Sequence, residues 1–290
     1  MMKVERIAAF CNGDHGGNPA GVVLCDALPA AADMQAVAAE VGYSETAFAE
    51  RQGDAWRVRY FAPTMEVPFC GHATIALGAA LSRAHGDGRF DLRLNDGIIS
   101  VEGKAEGGRL FAALQSPPTR SAAAQVALVD AALTLFGLSH ADLDDRLPPG
   151  LIEAGARHLL LAVGDRSSLA GMDYDLDAGA DLMRRWELTT IALVHAETPQ
   201  RFHTRNAFAI GAVREDPATG AAAAAFAGYL RDRGWPHGGR IEILQGDDMG
   251  IPCRLFAEIG AAAGSSIRVS GVARIMLEDA DAAVGKAVAE

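Results

Sequence analysis

The chain has only four cysteines and no long uninterrupted apolar stretch. The cysteines are scattered and form no CxxC pair, which predicts a reduced, cytoplasmic protein rather than a disulfide framework. No run of roughly 18 apolar residues occurs, so we expect no transmembrane helix. The N-terminal residues lack the long apolar stretch of a signal peptide and are expected to start a strand.

Positive charge is also scarce. The chain has 26 Lys and Arg against 37 Asp and Glu, which gives a formal net charge of −11. Nucleic acids and anionic membrane surfaces require clustered cations, so we expect neither as the main partner. The net charge does not exclude a small anionic substrate, because a few local donors can dominate a small pocket.

Several motifs that mark nucleotide, metal or nucleophile sites are missing. No GxGxxG follows a predicted strand, and neither a P-loop nor a GxSxG elbow occurs. The eight histidines form no HxH or HExxH pattern, so we expect no metal. No lysine lies in a setting that suggests a Schiff base.

A length of 290 residues is about right for two domains. The best linker candidate is 115–119, where two prolines exclude a helix and disfavour a central strand. Strands, a turn, a small-residue helix and further strands follow one another on both sides of it. We therefore predict an N-terminal domain over residues 1–115, joined by the C-terminal segment 275–290, and a C-terminal domain over residues 119–274.

Two short segments of the chain look like copies of each other. Residues 66–81 align with residues 215–230 at one constant offset, so that Gly71 matches Gly220. Each copy is a polar turn, a glycine and then a helix of small residues. Backbone N–H groups at helix starts bind anions, and two such starts facing one point predict a site for a small carboxylate-bearing substrate.

Both of these helices are unusual in composition. Residues 73–84 and 221–230 are almost wholly apolar, and a helix that is apolar all round is a buried helix. We therefore predict an α+β fold of two pseudo-symmetric domains. Each would be a mostly antiparallel mixed sheet, barrel-like, wrapped around its own buried helix.

Glu45 and His72 are the first candidates for proton transfer. Small or apolar residues surround Glu45, and a glutamate withdrawn from water holds its proton more tightly and can act as a general acid or base. The alternative is a solvated glutamate at a strand edge. His72 follows a glycine at a predicted helix start, where it either contacts a substrate or packs against the sheet.

Cys70 and Asp216 have two interpretations each. A thiol at a helix N-terminus is a good base or nucleophile, but the counterpart of Cys70 in the second copy is Thr219. A racemase, epimerase or dehydratase using Cys70 would need Thr219 or a water on the opposite side. Asp216 either caps the second helix or binds a substrate amine or hydroxyl. Asn18, in a tight turn, can reach a ligand from a neighbouring loop.

Four motifs then occur in order: GNPA at 17–20, SETAF at 44–48, CGHAT at 70–74 and EDPATG at 215–220. Together they resemble the PhzF-like family, named for the isomerase of phenazine biosynthesis, over essentially the full length. The resemblance implies a diaminopimelate-epimerase-like fold with two similar domains. It also implies an active site in the cleft between those domains.

The resemblance implies a homodimeric isomerase that transfers a proton without a cofactor. Glu45 would be the acid/base, and His72 and Asp216 would contact the substrate. Gly71 and Gly220 would offer backbone N–H groups to its carboxylate. The other residues expected at the substrate are Asn18, Cys70, Ala73 and Ala221.

The sequence departs from the family pattern at three places. Ala221 stands where a serine is common, residues 11–16 replace a Phe-rich segment, and residues 208–210 replace FAP. These departures concern the identity of the substrate more than the type of reaction. The missing hydroxyl at Ala221 also leaves open a non-catalytic binding protein that retains the fold.

Overall fold

The computed structural model describes residues 2–276, and within that range the chain forms 17 β-strands and six α-helices. The predicted α+β class is thereby confirmed. Two compact units emerge from the contacts within the chain. Among the described residues, unit 1 comprises 2–115, 251–254 and 269–276, and unit 2 comprises 116–250 and 255–268.

Unit 1 contains eight complete strands, β1–β8, and the first central helix, α2. Its elements are β1 (Glu5–Cys11), β2 (Asn18–Cys25), α1 (Ala31–Val41), β3 (Thr46–Gln52), β4 (Ala55–Phe61), β5 (Glu66–Val67), α2 (Gly71–His85), β6 (Gly88–Arg93), β7 (Ile98–Glu106) and β8 (Arg109–Gln115).

Unit 2 adds outer helices to a second set of strands. Its elements are β9 (Arg120–Ala123), α3 (Val126–Leu135), β10 (Gly150–Glu153), β11 (Arg157–Ala162), α4 (Arg166–Ala170), α5 (Leu176–Trp186), β12 (Thr190–Thr198), β13 (Arg201–Ala207), β14 (Glu215–Asp216), α6 (Gly220–Asp232) and β15 (Arg240–Gln245). The last two strands, β16 (Cys253–Glu258) and β17 (Arg268–Ile275), contribute residues to both units.

The order of strand pairing in unit 1 recurs in unit 2. In unit 1, β1 pairs antiparallel with β2, β2 parallel with β3, β3 antiparallel with β4, and β4 parallel with β6. In unit 2, the same alternation links β10, β11, β12, β13 and β15. The two-residue strands β5 and β14 pair antiparallel with β4 and β13, directly before the helices α2 and α6.

The two central helices are buried, as their composition predicts. Every residue of α2 from Gly71 to Ser82 is buried, and so is every residue of α6 from Gly220 to Leu230. The small residues allow the backbone of α2 to approach β7 closely: a Cβ atom at Gly103 would lie 2.2 Å from the carbonyl oxygen of Gly78. The contact therefore requires glycine at position 103, and it fixes the position of α2 on the sheet.

Helices α3 and α5 of unit 2 cover a second core, separate from the one around α6. Residues of both helices pack with apolar side chains from alternate positions of β11 and β12. Asp175 caps α5 by accepting a hydrogen bond from the backbone N–H of Ala178. Neither α5 nor the strands β9 and β10 were predicted from the sequence.

Strand β3 begins at Thr46, so Glu45 lies just before the strand. Two further expectations concern the C-terminal segment and the membrane. Part of the segment 275–290, residues 277–290, lies outside the described residues, while Ile275 ends a strand that pairs antiparallel with β1. Within residues 2–276, no helix combines the length and the apolar character needed to span a bilayer.

Candidate active site

The candidate active site of unit 1 forms where β3 and α2 begin. Glu45 immediately precedes β3, Cys70 is the residue before the first turn of α2, and His72 lies in that turn. All three are buried, with 8% of Glu45, 8% of Cys70 and 4% of His72 exposed. The interpretation of Glu45 as a solvated strand-edge residue is therefore wrong.

The imidazole of His72 lies between a thiol and a carboxylate. Its Nδ1 atom is 3.3 Å from Sγ of Cys70, and its Nε2 atom is 3.5 Å from Oε2 of Glu45. Nε2 is also 3.3 Å from the hydroxyl oxygen of Ser44. Each ring nitrogen thus has a partner, and the ring links Cys70 to Glu45.

A chain of hydrogen bonds fixes the backbone at Cys70. The Thr74 hydroxyl donates to the carbonyl oxygen of Cys70 at 2.7 Å, so the Tyr60 hydroxyl, also 2.7 Å away, must donate to Thr74. Burial raises the pKa of Tyr60, which keeps this donor protonated. The start of α2 is therefore held firmly against β4.

The first turn of α2 offers donors for an anion. The side chain of Cys70 makes no capping hydrogen bond to the helix. In any α-helix, the N–H groups of the first turn have no partner within the helix itself. Gly71 and Ala73 flank His72 in this turn. Asn18 is buried at the start of β2, where it pairs with Ala9 of β1.

The second motif forms a polar cluster in unit 2, around the start of α6. The Thr219 hydroxyl donates to the Asp216 carboxylate at 2.6 Å. The side chain of Gln245 accepts from the backbone N–H of Thr219 and donates to the carbonyl oxygen of Asp216 at 2.7 Å. Asp216 is 8% exposed, and Gly220 and Ala221 begin the helix directly after Thr219.

An arginine–glutamate pair supports the turn before each central helix. Nε and Nη2 of Arg205 donate to the Glu215 carboxylate in unit 2, and Nε and Nη2 of Arg59 donate to the Glu66 carboxylate in unit 1. The pair in unit 2 is buried and the pair in unit 1 is half-buried. Burial raises the pKa of Glu215, whereas the hydrogen bond from Arg59 lowers the pKa of Glu66.

The unit 1 cluster also has the composition of a metal site. Among the described residues, ligand atoms of Glu45, Cys70 and His72 lie within 4.8 Å of one another. Zinc accepts all three ligand types. However, Cys70 lies at Nδ1 of His72 and Glu45 at Nε2. A metal ion binds only one nitrogen of an imidazole, so it would lie on the side of only one of these two residues. The expectation of no metal stays a prediction.

The structure brings Glu45, Cys70 and His72 together, with Gly71 and Ala73 on the same turn. Sequence reasoning missed Ser44 and Gln245. Ser44 precedes Glu45 directly, which was a usable signal, whereas nothing in the sequence near Gln245 indicates a contact with Thr219. The roles assigned to Asn18, Asp216, Gly220 and Ala221 stay predictions.

Known proteins resemble this chain over nearly its whole length. The family model described as phenazine biosynthesis-like protein matches residues 7–279. The chain is 31% identical over 296 residues to an uncharacterised isomerase of Deinococcus radiodurans, covering 96% of this chain and 94% of the relative. It is 32% identical over 279 residues to a trans-2,3-dihydro-3-hydroxyanthranilate isomerase of Pseudomonas aeruginosa, covering 94% of each. A solved structure of a predicted epimerase from Pseudomonas aeruginosa shares the fold, with a TM-score of 0.82, 24% identity and coverage of 96% and 98%.

Proposed function

This chain belongs to the phenazine biosynthesis-like protein family and is an isomerase, and we propose that it shifts a proton on a small carboxylate-bearing substrate without a cofactor. The observation that carries the proposal is the buried pair of Glu45 and His72, 3.5 Å apart at the start of α2. In this pair, the carboxylate of Glu45 can take a proton from carbon, and the imidazole of His72 can stabilise the negative charge of that carboxylate.

Glu45 is the proposed acid/base. As a carboxylate it removes a proton from one carbon of the substrate, and as the acid it returns that proton to another carbon. General acid–base catalysis of this kind contributes about 10²–10⁴-fold to the rate. The burial of Glu45 supports the proposal, because exclusion of water strengthens its interactions with His72 and with a bound substrate.

The first turn of α2 is the proposed anchor for the substrate carboxylate. Its N–H groups and the positive end of the helix dipole attract an anion. The same donors stabilise the negative charge that develops when a proton leaves carbon. Gly71 supports this role, because it has no side chain that would keep a ligand away from its backbone.

Asp216 is the proposed partner of a substrate amine or hydroxyl. The hydrogen bond from the Thr219 hydroxyl orients its carboxylate. Gly220 and Ala221, at the start of α6, are proposed to contact the substrate as well. The domain boundaries, the homodimer and the contribution of Asn18 stay predictions beside this proposal.

The name of one relative suggests a first substrate to test. Trans-2,3-dihydro-3-hydroxyanthranilate carries a carboxylate, an amine and a hydroxyl, which are the groups that the proposed site recognises. Ala221 cannot supply the hydroxyl that a serine offers at this position. We therefore expect this compound, or one with fewer polar groups near that contact, to be turned over.

The variant Glu45→Gln tests the proposal. It keeps the shape of the side chain and removes the acid/base, so kcat should fall about 10²-fold or more. Glu40→Gln, at an exposed position on α1, is the matched control and should leave kcat unchanged. Wild-type turnover in the Glu45→Gln variant would contradict the proposed mechanism.

A further inference from the structure

We infer that Cys70 is a positioning residue that acts through His72: its S–H group donates to Nδ1 and thereby places the ring proton on Nε2, facing Glu45. The inference rests on the proposed function, in which Glu45 starts each turnover as a carboxylate. It assigns to Cys70 a role other than that of a base or nucleophile.

The argument begins with the partners of Nε2. A carboxylate oxygen can only accept a hydrogen bond, and Oε2 of Glu45 lies 3.5 Å from Nε2. Nε2 must therefore carry the proton if the contact is to be attractive. The hydroxyl oxygen of Ser44, 3.3 Å from Nε2, can accept from the same N–H group.

The next step concerns Nδ1. A neutral imidazole carries one proton, so protonation of Nε2 leaves a lone pair on Nδ1. Sγ of Cys70 lies 3.3 Å from that nitrogen. A neutral thiol can donate its proton there, and every contact of the ring is then satisfied.

The alternative is a thiolate beside an imidazolium. It would place three charges, on Cys70, His72 and Glu45, in a cluster in which each residue is at most 8% exposed. Each additional buried ion requires desolvation, which costs free energy unless it is fully compensated. The form with one charge, on Glu45, avoids the desolvation of the other two.

The backbone geometry makes Cys70 suitable for this role. Tyr60 and Thr74 hold the carbonyl group of Cys70 through two successive hydrogen bonds of 2.7 Å. The backbone N–H of Thr74 donates to the same carbonyl oxygen. The thiol is thus fixed relative to the first turn of α2, which also carries the ring of His72.

The consequence for catalysis is a base that is ready to accept a proton from carbon. An N–H donor at Nε2 donates to Oε2 of Glu45 and holds this atom in place. A ring protonated on Nδ1 would instead direct a lone pair at the carboxylate. Loss of the thiol would remove the donor to Nδ1, weaken the preference for the Nε2-protonated ring and lower the fraction of enzyme in the productive form.

Nitrogen NMR of histidine-labelled wild-type protein tests the tautomer directly, without any substrate. The signals of His72 are assigned by their loss in the variant His72→Gln. Between about pH 7 and pH 8, we expect a protonated Nε2 and an unprotonated Nδ1. A ring protonated only on Nδ1, or on both nitrogens, would overturn the inference.

Two variants of Cys70 separate positioning from packing. Cys70→Ser keeps an O–H donor to Nδ1, whereas Cys70→Ala removes the donor. We expect the serine variant to keep the Nε2-protonated ring and a kcat within about threefold of wild type, and the alanine variant to show both tautomers and a kcat lowered about tenfold with little change in KM. Equal behaviour of the two variants would contradict the inference.

These measurements distinguish the failure of this inference from the failure of the proposed function. With trans-2,3-dihydro-3-hydroxyanthranilate as the probe, wild-type activity in Glu45→Gln would contradict the role of Glu45 without bearing on the ring tautomer, which is measured in the wild-type protein. Rapid alkylation of Cys70 by iodoacetamide, at the rate of a free thiolate, would instead contradict the neutral thiol. Slow alkylation is the result that we expect.

Discussion

Gln245 binds both the backbone and the side chain of Thr219. Its Oε1 atom accepts from the Thr219 N–H at 3.1 Å, and its Nε2 atom donates to the Thr219 hydroxyl oxygen at 3.1 Å. Gln245 is the last residue of β15, and Thr219 is the last before α6. One side chain therefore ties the end of a strand to the helix start that follows Asp216.

Loss of this side chain should destabilise the protein. Gln245 is 1% exposed, and Gln245→Ala would leave the Thr219 N–H and the Asp216 carbonyl oxygen without these bonds. We expect a decrease of about 1–3 kcal/mol in the free energy of unfolding, measured by urea denaturation. Gln200→Ala, at an exposed position, is the control. An equal change in both variants would show that Gln245 does not stabilise this turn.

The two arginine–glutamate pairs should differ in their contribution to stability. Glu215 and Arg205 are nearly inaccessible to solvent, so Glu215→Gln leaves a buried guanidinium without its counter-charge and should cost about 3 kcal/mol or more. Glu66 and Arg59 are partly solvated, and Glu66→Gln should cost about 1 kcal/mol or less.

The acid dependence of stability gives a second readout for Glu66. Because the hydrogen bond from Arg59 lowers the pKa of Glu66, the pair stabilises the protein above the ordinary glutamate pKa and loses this effect as the pH falls. Glu66→Gln should therefore flatten the decrease in stability below about pH 4.3. Equal unfolding free energies for Glu215→Gln and Glu66→Gln would contradict the expectation that the buried pair contributes more to stability than the partly solvated pair.

His158 should make the protein sensitive to mild acid. Burial lowers its pKa to about 3, and its Nδ1 atom lies 2.8 Å from the hydroxyl oxygen of Thr190. As the pH falls below about 6.5, the unfolded chain binds a proton that the folded protein does not, so stability decreases by up to about 1.4 kcal/mol per pH unit.

Removal of His158 should therefore reduce the pH dependence of unfolding. Between about pH 7 and pH 5, His158→Gln should lose the slope that corresponds to one proton. His15→Gln, at an exposed position, should keep it. Urea denaturation at several pH values measures the slope, and an unchanged slope in His158→Gln would mean that this histidine is protonated in the folded state.

The sequence predicts those parts of the fold in which local composition and tertiary burial agree. The alanine-rich helix predicted over residues 73–84 spans Gly71–His85, and the helix predicted over residues 221–230 spans Gly220–Asp232. Helix α5 was missed although Asp175 is a good N-cap and the helix is amphipathic, and no glycine marks its end. Its stability depends on packing in a core shared with α3, β11 and β12, which contacts far apart in sequence create.

The candidate site was predicted as a set of residues rather than as an arrangement. Cys70 and His72 are neighbours in sequence, and their common turn follows from the helix start. Their contact with Glu45 depends on the position of β3 relative to α2, and the contact of Gln245 with Thr219 depends on the parallel pairing of β13 with β15. Such long-range contacts are set by the sheet and leave no pattern in the nearby sequence.

Solvent deuterium uptake during a single turnover tests the central claim most directly. With trans-2,3-dihydro-3-hydroxyanthranilate in D₂O, the wild-type product should carry partial deuterium at the carbon that gains the proton, because Glu45 returns the proton that it removed and only the fraction that exchanges with solvent within the turnover is replaced by deuterium. The Glu45→Gln variant should give no labelled product. Equal labelling of the product by both proteins would remove Glu45 from the reaction and contradict the account.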